Sequence, residues 1–175
     1  MSVSNASEAG WPCDRLRRGP GESLLLTIAL MAVAVAGFTA VTATLTPPGG
    51  AWHPAMRIRQ RAIVSTAFNV MFESLAPSIA FLWIGDERAT VVVASAGVAV
   101  YATGIVIWRG RQFMRAGGNR TPSAIVLFTL GPTATLLFWA NALVVGSVAI
   151  YALALCIQLT VAVVSFYSLV SATQS

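Results

Sequence analysis

Thr66, Asn69, Glu73 and Pro77 are spaced three, four and four residues apart, which puts all four on one face of a helix. Pro77 lacks the N–H that would bond the Glu73 carbonyl, so one position offers both a carboxylate and a freed backbone oxygen. Ser74 and Ser78 add hydroxyls nearby. A second proline, Pro132, frees the Phe128 carbonyl in the same way, beside Thr129 and Thr133. Proline-broken helices with unwound carbonyls coordinate ions in transporters. Thr66, Asn69, Glu73, Pro77, Thr129 and Pro132 are therefore candidates for binding a proton, a cation or a small solute. The structural alternative is a protonated Glu73 bonded to Asn69, or across to Gln158 or Tyr101, as interhelical glue worth about 0.6–2 kcal/mol. In that reading the prolines merely kink their helices.

Glu73 stands out because of its setting. It is the only carboxylate inside a long apolar run, twelfth of the 24 residues between Arg61 and Asp86. A charge at the centre of a bilayer helix costs roughly 2.5–3.5 kcal/mol on the lenient insertion scale, so such a residue is paired, protonated or turned to a cavity. No second acid or cation inside the same apolar runs completes a relay.

The elements that would position these residues follow from composition. The chain is 57% apolar and only 10% charged, with a mean hydropathy of +0.76, whereas about a quarter of the residues of a soluble domain are charged. This is the composition of an all-α integral membrane protein, a helical bundle, since neither period-2 alternation nor barrel-type turns recur. The net charge of +5 would suggest nucleic acid in a soluble protein, but here the arginines flank apolar runs and read as topology signals. The expected partner is the lipid bilayer, with further copies or other membrane proteins, and no nucleic acid. All eleven cations are arginine, which fits a GC-rich bacterial genome and an inner-membrane location.

Cutting the chain at charges and turn residues gives about five transmembrane helices between a polar tail over residues 1–22 and a short tail over 172–175. The first span, 23–46, ends at Pro47-Pro48-Gly49-Gly50, which cannot continue a helix. Val41-Thr42-Ala43 is a passable signal-peptidase site. However, the apolar stretch exceeds a secretory core of roughly 7–15 residues, so a retained span is expected. Span two, 62–85, turns at Asp86-Glu87-Arg88 into span three, 89–108; acids are favourable at such a helix start. Arg109, Arg111, Arg115 and Arg120 are expected in a loop around Gly117-Gly118, before a helix start at Thr121-Pro122. The charge-free remainder, taken as one helix over 124–171, would be about 72 Å long against a hydrocarbon core of about 30 Å. It must cross twice, and Gly146-Ser147 is the best turn, giving spans 123–145 and 148–170.

Orientation follows from arginine counting. Loops after spans one and three hold seven arginines, Arg57, Arg59, Arg61, Arg109, Arg111, Arg115 and Arg120, against four on the other side. Those loops and the C-terminus are expected in the cytoplasm. The bundle also reads as one helix plus two tandem helical hairpins, because Val70-Met71-Phe72-Glu73-Ser74-Leu75-Ala76-Pro77 resembles Val126-Leu127-Phe128-Thr129-Leu130-Gly131-Pro132 with one residue deleted. Chance similarity between apolar segments is the alternative.

Catalysis has little to stand on. One histidine, His53, cannot supply a zinc site, which takes three or four ligands. Cys13 and Cys156 show no CxxC spacing and are separated by topology, so no disulfide, redox centre, metal or cofactor is expected. Small residues at four-residue spacing, Ala32, Ala36, Ala40 and Thr44, then Ser95, Ala99 and Thr103, make flat surfaces for close helix approach. Trp52, Trp83, Trp108 and Trp139 fall near span ends, as an aromatic belt requires. The leading expectation is a small transport-related protein acting near Glu73. The main competitor is a non-catalytic accessory or assembly subunit of a larger membrane complex, and the direction in which Glu73 points discriminates between them.

Overall fold

The computed structural model describes residues 21–44, 54–115 and 122–172, with side chains described for 21–41, 60–112, 129–168 and 170. The remaining positions lie outside the described residues, among them Trp11, Cys13, Pro47–Gly50, Trp52, His53, Gly117-Gly118 and Thr121. So do the side chains of Thr44, Arg57, Arg59, Arg115 and Phe128.

Five α-helices follow one another: α1 (Glu22–Thr44), α2 (Pro54–Ile84), α3 (Glu87–Arg115), α4 (Pro122–Ala140) and α5 (Val148–Ala172), with a π-helical turn, Asn141–Val145, closing α4. Four are long and apolar enough to cross a membrane, over Glu22–Val41, Gln60–Ile84, Glu87–Gln112 and Val148–Ser168. The fifth apolar segment, Thr129–Val145, is shorter. Two bounds differ from the expected spans. α2 begins at Pro54 rather than near Ala62, because proline at a first helical position is preorganised for the helix. α3 continues through Arg109 and Arg111 to Arg115 instead of stopping at Trp108, because arginine is a good helix former and charge alone does not end a helix.

The turns are built as their residues dictate. Asp86 Oδ2 accepts the Ala89 N–H at 2.7 Å, an N-cap on α3, and Gly85 before it has φ +72°, a left-handed position suited to glycine. At the second tight turn Gly146 has φ +63°, and its N–H reaches back to the Asn141 carbonyl at 2.8 Å. Asn141 is fully buried and supports this corner twice. Its Oδ1 accepts the Ser147 N–H at 2.8 Å, and its Nδ2 donates to Ser95 Oγ on α3 at 2.8 Å.

Helices α2, α3, α4 and α5 form a ring in which each touches the next and α5 closes on α2, while α1 lies outside against α2 and α5. The cross-helix bonds Tyr101–Asn69, Arg109–Thr66, Trp139–Thr103 and Asn141–Ser95 fix α2 against α3 and α3 against α4 as antiparallel neighbours. Gly21 lies against Val148, and Gly146 against Arg88 and Val92, so the start of α1 and both tight turns gather at one end. That end carries Glu22, Asp86, Glu87 and Arg88; Arg61, Arg109 and Arg111 lie toward the other.

Among the described residues half of the buried apolar positions are alanine, including Ala32 on α1, Ala67 on α2 and Ala99 on α3. Such side chains let helix backbones approach closely, the main source of association where lipid is as apolar as the interface. Many large apolar side chains turn outward: Phe72, Leu82, Trp83, Leu136, Leu143 and Val144 are all more than 60% exposed. Hydroxyls are absorbed locally, as Thr39, Thr66, Ser74, Thr103 and Thr135 each donate to the carbonyl four residues back.

Candidate functional site

The α2 face carrying Thr66, Asn69 and Glu73 turns into the centre of the four-helix ring. There it meets Ala102, Ile105, Val106 and Arg109 of α3, Gly131, Pro132 and Thr135 of α4, and Gln158 and Val161 of α5 around a cavity of about 90 Å³. At roughly 30 Å³ for each water in the liquid, the space equals about three waters, well below the roughly 300–1,000 Å³ of a pocket for a drug-sized ligand. Its chemistry is mixed: a carboxyl, a guanidinium, two amides and two hydroxyls set among alkyl side chains.

Glu73 is 6% exposed. The side-chain amide of Gln158 interacts with its carboxyl from α5. Among the described residues Glu73 Oε2 is the single buried side-chain nitrogen or oxygen without a hydrogen-bond partner. The backbone oxygen freed by Pro77 is not offered to the cavity, because the buried Tyr151 hydroxyl donates to the Glu73 carbonyl at 2.6 Å. Tyr151 is held there by Phe138, whose ring meets it edge-on at a centroid separation of 5.2 Å. Above the carboxyl, toward the tight turns, the interior is therefore aromatic and filled.

Arg109 occupies the other end of the polar face. Its Nη2 donates to Thr66 Oγ1 at 3.2 Å, and Thr66 in turn donates to the Ala62 carbonyl. Thr66 precedes Glu73 by seven residues, a rise of about 10 Å along α2. Arg109 and Glu73 line one cavity, and Glu73 Oε2 takes no hydrogen bond from the guanidinium. Between them Asn69 Oδ1 accepts the Tyr101 hydroxyl at 3.0 Å. Asn69 and Glu73 also border a groove on the outer side of α2 and α3, lined by Phe72, Ala76, Gly97 and Tyr101.

Of the six residues singled out by spacing, Thr66, Asn69, Glu73 and Pro132 come together around the cavity. Pro77 does not line it: it is buried in α2 and acts on the Glu73 carbonyl, which Tyr151 takes up. Thr129 does not line it either; it is exposed near the side of α4 where its carbonyl accepts the Thr133 hydroxyl. Of the three partners considered for Glu73, Gln158 interacts with it, whereas Tyr101 bonds Asn69 instead. Arg109, Thr135 and Tyr151 join the site without a signal in the spacing: Arg109 sits among the arginines that flank a span, and nothing local to Tyr151 shows that it reaches across to α2.

Cys156 is free and exposed, and among the described residues no three His, Cys, Asp or Glu side chains converge as a metal ligand set. No known protein family, curated protein or solved structure matches this chain.

Proposed function

We propose that this chain is a multi-pass integral protein of a cell membrane, the bacterial inner membrane, and that it moves or senses a proton, a cation or another small solute at Glu73. The membrane reading is supported by the inverted distribution of polarity. Leucine, phenylalanine and tryptophan cover the outside, while Glu73, Asn141, Ser95 and Thr135 are buried inside. In water such an outside would be a large exposed apolar patch; in lipid it is the expected surface. The Arg61, Arg109 and Arg111 end is then cytoplasmic.

The observation that carries the transport reading is the cavity of about 90 Å³ inside the helix ring, which has the carboxyl-bearing Glu73 in its lining together with Asn69, Arg109 and Gln158. A subunit that used Glu73 to bind a partner would present it on an outward stripe, and its 6% exposure argues for the interior role. An intramembrane ionisable residue facing a cavity is the common mark of an ion or solute pathway.

Water access tests this reading. In a variant with both native cysteines replaced, Asn69→Cys and Thr135→Cys should react with a small water-soluble thiosulfonate in intact membranes, while Ala154→Cys, in the buried core, should not. Equal protection of all three positions would mean that no aqueous path reaches the site.

A further inference from the structure

The cavity holds two ionisable groups of opposite sign that do not meet. Glu73 Oε2 is buried without a partner, and the Arg109 guanidinium, on the same cavity, is bonded to Thr66 two helical turns away. A metal cation at the carboxylate would face an uncompensated guanidinium. A simple anion at Arg109 would leave the carboxylate equally uncompensated. A molecule carrying both charges satisfies both ends.

We propose that the cavity binds a small zwitterion, with its ammonium group on the Glu73 carboxyl and its anionic group on the Arg109 guanidinium. The proposal rests on the solute-binding reading above and names the solute class. The volume and lining agree with it. Asn69 and Gln158 add amides, while Ile105, Val106 and Val161 leave apolar walls in a space of about 90 Å³, so the ligand is an unbranched molecule of the size of glycine or β-alanine. The same charge pair occurs on an ethanolamine phosphate headgroup. Asn69 and Glu73 also border the outer α2–α3 groove, the side from which a lipid headgroup would come.

The test is calorimetric binding to the full chain in phosphatidylcholine nanodiscs, with glycine, β-alanine, phosphoethanolamine, methylammonium and acetate as separate probes. A zwitterion should bind at least tenfold more tightly than methylammonium or acetate. Glu73→Gln and Arg109→Gln should each bring its affinity down to that of the one-charge probes, with thermal unfolding showing both variants folded. Binding by phosphoethanolamine alone, together with stabilisation in nanodiscs containing phosphatidylethanolamine, assigns the zwitterion to a lipid headgroup; glycine or β-alanine binding assigns it to a free amino acid. The wild-type ranking stands even where a variant fails to fold. Methylammonium binding as tightly as any zwitterion, and lost in Glu73→Gln, overturns the zwitterion and leaves the solute site in place. Acetate binding as tightly as any zwitterion also overturns it, and silence from all five probes overturns the proposal together with the solute site at Glu73.

Discussion

Removing the charge of Glu73 while keeping its shape separates the two roles the residue can hold. Glu73→Gln retains a side chain able to bond Gln158, so folding should change by less than about 0.5 kcal/mol while the solute-dependent activity is lost. Glu73→Leu strands the Gln158 amide and should lower unfolding stability by about 1–3 kcal/mol, read by thermal denaturation in detergent. Tyr151→Phe keeps the ring against Phe138 and removes only the donor to the Glu73 carbonyl, so a loss of about 0.6–1.7 kcal/mol is expected. At this scale much of the site was legible. A lone carboxylate in an apolar run is conspicuous, and three- and four-residue spacing places Thr66 and Asn69 beside it. The fate of the freed carbonyl was not legible, because its partner lies 78 residues along the chain. Nor was Arg109, whose position near a span end reads as an anchor until the helix is seen to carry it inward toward Thr66.

Among the elements, the corner between α4 and α5 is the most tightly specified. A Cβ at Gly146 would sit 3.1 Å from both Arg88 Cγ and Val92 Cγ2 at a left-handed φ of +63°. Gly146→Ala should therefore destabilise by about 1–3 kcal/mol, which differential scanning of the reconstituted protein would detect. An unchanged transition would mean that α3 and the turn move apart freely. Turn positions and helix number could be read from Asp86, Gly146-Ser147 and Pro122, because glycine, proline and capping residues act locally. The π-helical turn could not, because nothing local to the sequence shows that Asn141, whose carbonyl closes it, is anchored on Ser95, 46 residues away. The extension of α3 past Trp108 was likewise missed, since arginines mark a membrane boundary without marking a helix end.

For the whole molecule, composition pointed to an apolar helical bundle, but not to which helices adjoin. Helices that are apolar on nearly every side give no directional cue, so the ring of α2 to α5 with α1 outside emerges only from small-residue contacts and a few polar bonds. The arginine asymmetry between the two ends predicts that single cysteines at Gly117 and Ser175, in a background without native cysteines, will be labelled only from the cytoplasmic face. Labelling of both from outside the cell would reverse the orientation. The central claim is that Glu73 serves a solute or proton pathway, and flux into proteoliposomes tests it most directly, followed with a pH-sensitive dye and with labelled glycine for wild type and Glu73→Gln. The account predicts wild-type flux above that of empty liposomes and at least a tenfold loss in the variant, with matching thermal unfolding of the two proteins. Equal flux at equal stability would contradict it and return Glu73 to the role of interhelical glue.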